Sequence, residues 1–384
     1  MMTNPTFRHL GPYSDILAAA KAQRSLFEAG SDNADMRRRL KSMLAFTLGD
    51  ERPLDIEEGD SWSSDGVDGQ EVSWAVGYGP RTRAWVLKPR GATARLPGIL
   101  ALHDHGHFKF YGKEKIADGP EGPLPHLHSF RDAYYGGRAF ANDFARRGHV
   151  VVVHDVFLWG SRKFPLEAMP DRDRALGPAV APTIGDGQEG ADIGAYNGSA
   201  YLHEHLVEKY CRILGTSLAA VVAYEDRVAL NYLLGRADVD TDRVASVGLS
   251  GGGLRSSLLR ASCDELHACV IAGMMNSYEE LLDRCVAEHT WMFFPPGLSR
   301  FGDWPNLAAS LPPTPVLVQY LLGDAQFTEE GMRTSDRIIG ERYAREGARE
   351  AYCGEFYPGP HRFDQAMQEA ALAWLGKLFG NVAS

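Results

Sequence analysis

The sequence predicts an α/β protein with a mainly parallel central sheet flanked by helices. Three observations predict it. From about residue 70 onward, short apolar and β-branched runs alternate with longer stretches of helical periodicity, which is the rhythm of βαβ units. One of those runs, 244–247, ends in Gly248-Leu249-Ser250-Gly251-Gly252 and leads straight into a helical stretch. The third observation is size. A chain of 384 residues with 44% hydrophobic content can bury a large core in one domain with additions.

Residues 1 to about 60 read as polar and helical. Stretches 13–29 and 35–48 carry apolar residues at helical spacing, and Asp32 and Asn33 fit a cap before the second. The extension is expected to serve as a cap or as the contact of a homodimer. At Glu71 the period changes. Stretches 72–78 and 82–87 alternate around Gly79-Pro80, a hairpin that opens a sheet. A short apolar strand at 98–103, a helix at 138–147 and a wholly apolar strand at 150–153 follow. Strand, helix, strand at this spacing means parallel pairing. Residues 157 to about 200 break the rhythm and are rich in Gly, Pro and Asp, so they read as a lid-like loop without regular structure. One long helix is expected over 211–234, then the strand 244–247, a helix at 255–262 and a strand at 267–272. A second insertion spans 274–310. The chain closes with a strand at 316–322, a helix at 330–345, a last strand at 351–357 and a helix at 363–379. No internal repeat or low-complexity tract interrupts it.

Charge and cysteines bound the function. A formal net charge of −10 argues against nucleic acid or an anionic membrane as the main partner. Residues 1–10 carry no apolar run of the secretory kind, and no stretch approaches the ~18 apolar residues that span a bilayer. Cys211, Cys263, Cys269, Cys285 and Cys353 are scattered and odd in number. They read as free thiols of a cytoplasmic protein, and no pair has zinc-ligand spacing.

The organising motif is Gly-x-Ser-x-Gly at 248–252. A sharp turn from strand to helix strains the serine backbone and exposes its hydroxyl, while the flanking glycines let strand and helix nearly touch. Ser250 is therefore the candidate nucleophile. A serine hydroxyl needs a base, and the base an orienting acid, in the chain order serine, acid, histidine for this kind of turn. Asp324 follows the strand 316–322 through a single glycine, and His361 lies between the last strand and the last helix. Glu279 and Glu280, after the preceding strand, are the reserve acids.

Four segments carry a resemblance. They are Leu102-His103-Asp104-His105-Gly106-His107, Gly248-Leu249-Ser250-Gly251-Gly252-Gly253-Leu254-Arg255, His289-Thr290-Trp291 and Gly359-Pro360-His361-Arg362-Phe363-Asp364. Together they resemble the α/β-hydrolase superfamily, closest to its dienelactone-hydrolase-like and acetyl-xylan-esterase-like branch. The resemblance covers about residues 70–380. It implies an α/β-hydrolase fold and a Ser–His–Asp carboxylic ester hydrolase, with Ser250, Asp324 and His361 in the catalytic roles and a small-molecule ester as substrate. No cofactor is expected. Residues 66–384 would form the catalytic domain, with insertions at about 157–210 and 274–310, and residues 1–65 the helical extension. Where relatives often read His-Gly-x-Gly, this chain reads His103-Asp104-His105-Gly106. An oxyanion hole needs two N–H donors. Gly251, after the nucleophile, is one, and the backbone of His105 is the candidate for the other, with Gly106 and His107 as alternatives.

Other residues have competing readings. His103, His105 and His107 alternate, and His126/His128 and His203/His205 repeat the spacing, so a hydrolytic metal site is one reading. Gly106 and Phe108 end the strand there, and a role in the pocket wall is the better reading, so no metal ligand is assigned. The substrate-facing candidates are His103, Asp155, Trp159, Trp291 and Phe293. For Asp155 the competitor is a salt-bridged loop, and for Trp291 and Phe293 a hydrophobic plug. Arg255 reads as an ion pair holding its helix rather than a carboxylate receptor. The rival functions are a serine peptidase or amidase, a carbon–carbon bond hydrolase, a metal-dependent hydrolase and a non-catalytic binding protein.

Overall fold

The computed structural model describes residues 6–28, 32–184 and 190–380. The chain opens with α1 (Ile16–Gln23) and α2 (Asn33–Met43). Asp32 caps α2 by accepting the Ala34 N–H at 2.8 Å. Of the stretch read as the first helix, only its middle is helical, and Ala29 lies outside the described residues. Three antiparallel strands follow: β1 (Leu54–Ser64), β2 (Val67–Ala75) and β3 (Thr82–Pro89). Strand β1 corrects the reading of residues 1 to about 60 as helical. It carries Asp55, Glu57, Glu58 and Asp60 and is exposed along almost its whole length, so it shows no apolar alternation. Pairing with β2 alone makes it a strand.

Next come β4 (Leu96–Leu102), α3 (His128–Tyr135), α4 (Phe140–Arg146) and β5 (Val150–His154), then α5 (Asp171–Ile184), α6 (Ala191–Ile213) and α7 (Leu218–Leu234). Helices α5 and α6 correct the expectation of a structureless lid over 157–200. The glycines that read as loop residues are contact points. A Cβ at Gly198 would lie 2.1 Å from the Gly177 carbonyl oxygen, so the two helices touch backbone to backbone, and two prolines, Pro178 and Pro182, lie within α5. Residues 185–189, in the same stretch, lie outside the described residues. The single helix expected over 211–234 is also two. Gly215 takes a left-handed φ of 75°, and Ser217 caps α7 through the Ala220 N–H at 3.2 Å.

The remainder alternates as expected: β6 (Val239–Leu249), α8 (Gly251–Ser262), β7 (Ala268–Ala272), the short α9 (Tyr278–Leu281) and α10 (Trp304–Ala308), β8 (Val316–Leu321), α11 (Glu329–Arg345), β9 (Tyr352–Tyr357) and α12 (Gln365–Phe379). One nine-stranded sheet runs in the order β1-β2-β3-β5-β4-β6-β7-β8-β9. From β5 to β9 every neighbour pair is parallel. Alternate side chains face opposite layers, as strand geometry requires. Ile99 and Ala101 of β4 share a buried cluster with Phe140 and Phe144 of α4 and Leu375 of α12. Leu100 and Leu102 share another with Val228 of α7. Helix α2 lies on the α7–α8 side, where Arg37 donates to the Ala261 carbonyl. The register sets Leu102 beside Gly248, Leu249 beside Ala272 and Leu321 beside Tyr357. The loops that leave β4, β6, β8 and β9 therefore emerge at one edge of the sheet, the edge where open α/β folds bind ligands.

Candidate active site

Ser250 is the single residue between β6 and α8. Its φ of 55° and ψ of −119° place a residue with a side chain where glycine is usually found, a strain of about 1–3 kcal/mol that surrounding structure must hold. Two bonds hold it. The Ser250 N–H donates to the Ala272 carbonyl at 2.9 Å, and its carbonyl accepts from Leu254 at 2.8 Å. The glycines are needed sterically. A Cβ at Gly248 would sit 2.4 Å from the Gly252 carbonyl carbon, and one at Gly251 would sit 2.5 Å from the His105 backbone nitrogen.

Asp324 and His361 lie side by side. His361 Nδ1 lies 2.5 Å from Asp324 Oδ2, and the other carboxylate oxygen accepts from Gln326 N–H at 2.9 Å. Backbone bonds stitch their loops together, Leu322 N–H to the Tyr357 carbonyl at 2.9 Å and Gly323 N–H to the Gly359 carbonyl at 3.0 Å. Asp324 is nearly sealed at 5% exposure, which makes its pairing with one histidine well defined. The reserve acid Glu279 is engaged elsewhere, with Lys21 on the surface. Ser250, Gly251, His105, Phe293 and His361 line one cavity of about 50 Å³.

The remaining candidates divide. Phe293 lines the cavity with His289 stacked on it at 4.4 Å between ring centres. Trp291 stands outside it, its Nε1 donating to His205 Nδ1 at 2.8 Å. His103 and Trp159 are buried behind the wall. Trp159 Nε1 donates to the His105 carbonyl at 3.2 Å. Asp155 is wholly buried and accepts from Lys113 N–H and Nζ and from Ser161 N–H, so the salt-bridged loop is what the structure holds. Arg255 is likewise internal, paired with Asp226 at 2.6 Å and donating to the His103 carbonyl at 3.0 Å. Both nitrogens of His105 are committed, Nε2 to Glu204 at 2.8 Å and Nδ1 as acceptor of the His107 N–H at 3.1 Å. Among the described residues no group of three or more His, Cys, Asp and Glu is arranged to hold a metal ion.

Glu204 is not legible in the sequence as a site residue. It lies on α6, inside the stretch read as a loop, and is 5% exposed. Its carboxylate accepts from His105, from Lys109 at 2.6 Å, from Thr290 Oγ1 at 2.6 Å and from Trp291 N–H at 3.2 Å. Burial raises its pKa, but Lys109 and His105 outweigh burial and hold it well below the usual carboxylate range. The only signal for it in the sequence is its place between His203 and His205.

Two cavity-lining histidines are kept neutral mainly by burial, His107 down to about 3 and His289 down to about 4. The unfolded chain, with the ordinary value of 6.5, therefore takes up protons first as pH falls. Stability present above pH 6.5 is lost between about pH 6.5 and 4 for His289 and down to about pH 3 for His107. Substituting His289→Phe keeps the stacking and removes the titration. It is expected to recover about 1–2 kcal/mol at pH 5 relative to pH 7.5. Urea unfolding of both proteins at the two pH values checks this, and an unchanged acid slope would contradict it.

Strand order, serine turn and acid–histidine loops together are those of the α/β-hydrolase fold, as expected from the motifs. Two solved structures and one curated protein illustrate the likeness. A protein of Bacteroides fragilis NCTC 9343, provisionally described as an acetyl xylan esterase, superposes with a TM-score of 0.69 over 97% of this chain and 96% of its own, at 15% identity. A glucuronoyl esterase from Solibacter usitatus superposes with a TM-score of 0.60 over 90% of this chain and 92% of its own, at 13% identity. YtaP of Bacillus subtilis (strain 168), provisionally described as a hydrolase, is 20% identical over 270 residues, 70% of this chain and 74% of that protein. No family model matches the chain. Among the described residues no helix is long and apolar enough to cross a membrane.

Proposed function

We propose that the protein is a carboxylic ester hydrolase working through Ser250, His361 and Asp324. One observation carries the reading: a strained serine at a strand-to-helix turn lines the same cavity as a histidine whose Nδ1 is bonded to a buried aspartate. In this reading His361 takes the Ser250 proton, the alkoxide attacks the ester carbonyl, and the N–H groups of Gly251 and His105 receive the oxyanion. His361 then protonates the leaving alcohol and later activates water, while Asp324 fixes its tautomer. Residues 66–384 act as the catalytic unit. The five cysteines are free thiols, which supports a cytoplasmic setting.

The esterase names of the structural neighbours support ester substrates, among them esters of carbohydrates. Cavity size supports a short acyl group. About 50 Å³ is only a few times the roughly 10–15 Å³ that admits one water. Each added methylene then overpacks the wall at about 1–3 kcal/mol. Turnover of p-nitrophenyl acetate, butyrate and octanoate tests this. The expected kcat/KM falls at least about tenfold from acetate to butyrate and further for octanoate. Equal rates across the series, or faster cleavage of acetanilides than of the acetate ester, would overturn it.

A further inference from the structure

The peptide between Asp104 and His105 is gripped from its carbonyl side. Lys115, wholly buried, donates from Nζ to the Asp104 carbonyl at 2.5 Å and to the His105 carbonyl at 3.3 Å. Its third partner is the Asp104 carboxylate at 3.1 Å, which also accepts the Tyr135 hydroxyl at 2.5 Å. Nδ1 of the buried His103 lies 3.0 Å from the same Asp104 carbonyl. A carbonyl only accepts, so that nitrogen carries the proton. Two donors, one on a lysine, thus converge on one peptide oxygen.

The other end of this planar unit is the His105 N–H, which lies against Gly251. Every other polar atom of His105 is occupied, by Glu204, by the His107 N–H, and by Trp159 and Lys115 at the carbonyl. Among the described residues its N–H makes no hydrogen bond. Burying a lysine and a carboxylate here costs desolvation that apolar residues of similar volume would avoid. The arrangement makes sense if the peptide itself is the object being held.

We propose that Lys115, with His103, is a positioning residue for the oxyanion hole, fixing and polarising the Asp104–His105 peptide so that its N–H donates to the tetrahedral intermediate. The inference rests on the esterase reading above. A donor on the oxygen of an amide draws density from its nitrogen, and chained hydrogen bonds strengthen one another by about 10–30%. Fixing the plane beforehand removes reorganisation at the moment of reaction, which is where such donors gain most of their effect.

The test is Lys115→Met, assayed for kcat and KM on p-nitrophenyl acetate and for inhibition by a trifluoromethyl ketone, whose serine adduct carries the oxyanion. The kcat is expected to fall about 10²-fold, the scale of one lost donor. KM should stay within about threefold, and the inhibitor should weaken by a factor similar to that in kcat. Lys115→Arg should recover part of both. Because Lys115→Met leaves the buried Asp104 carboxylate without its cation, Lys115→Met/Asp104→Asn is measured alongside, and it carries the test where the single variant fails to fold. His103→Phe removes the second donor independently and should lower kcat and inhibitor affinity by about tenfold. Either a folded variant lacking Lys115, or His103→Phe where none folds, overturns the proposal if kcat and inhibition stay within about threefold of wild type. A loss confined to KM overturns it as well. A wild-type protein that neither turns over ester nor is labelled at Ser250 by a fluorophosphonate overturns the esterase reading instead.

Discussion

Replacing Ser250 by alanine is expected to lower kcat on p-nitrophenyl acetate by about 10⁵–10⁶-fold, the scale of losing a serine nucleophile. Labelling by a fluorophosphonate probe, read by mass spectrometry, should vanish with it. The fold should survive. Alanine at a φ of 55° meets the same steric limits as serine, and the bonds that hold the turn run through backbone atoms. Unfolding temperature should therefore stay close to wild type. A variant that keeps turnover within tenfold would show that the hydroxyl at the elbow is not the reacting group.

Asp324→Asn is expected to cost about 10⁴-fold in kcat with little change in KM. The structure explains why so small a change should matter. The Gln326 N–H, 2.9 Å from Oδ1, needs an acceptor, so an asparagine there keeps its oxygen on that side. Its NH₂ group must then face His361 Nδ1, where Oδ2 stood 2.5 Å away. Nδ1 becomes an acceptor, the ring proton moves to Nε2, and the imidazole can no longer take the serine proton. A pre-steady-state measurement would place the loss in acylation. An Asp324→Asn enzyme with wild-type kcat would assign the orienting acid elsewhere.

The parts of the fold legible in the sequence were those written locally. Strands such as Val150–His154 are buried on both faces and read as unbroken apolar runs. The catalytic candidates were legible because Ser250 and Asp324 each follow a strand and adjoin a glycine, and His361 follows the last strand two residues after Gly359, so that chain order and turn chemistry agree. What was not legible depends on contacts made at a distance. Strand β1 is acidic and exposed, and only its ladder with β2 defines it. Gly177 and Gly198 looked like loop residues because the reason for a glycine there, another helix at van der Waals distance, lies twenty or so residues away. Glu204 and Lys115 carry no motif. A buried charge is a sound choice only beside its partners, and the partners of Glu204, namely His105, Lys109 and Thr290, come from two other segments.

Glu204 has a consequence for any attempt to redesign the substrate range. Its carboxylate joins helix α6, the turn after β4 and the Thr290–Trp291 segment at one point. The two excursions from the sheet, the one that lines the cavity through Thr290 and Phe293 and the one that carries α6, are therefore not separate modules. A graft that exchanges residues around 286–294 for those of a structural neighbour strips donors from a buried anion, and one that exchanges α6 alone removes the acceptor of His105. The exchangeable unit is both segments together, and a library varying one while holding the other fixed would sample mostly damaged proteins rather than new specificities.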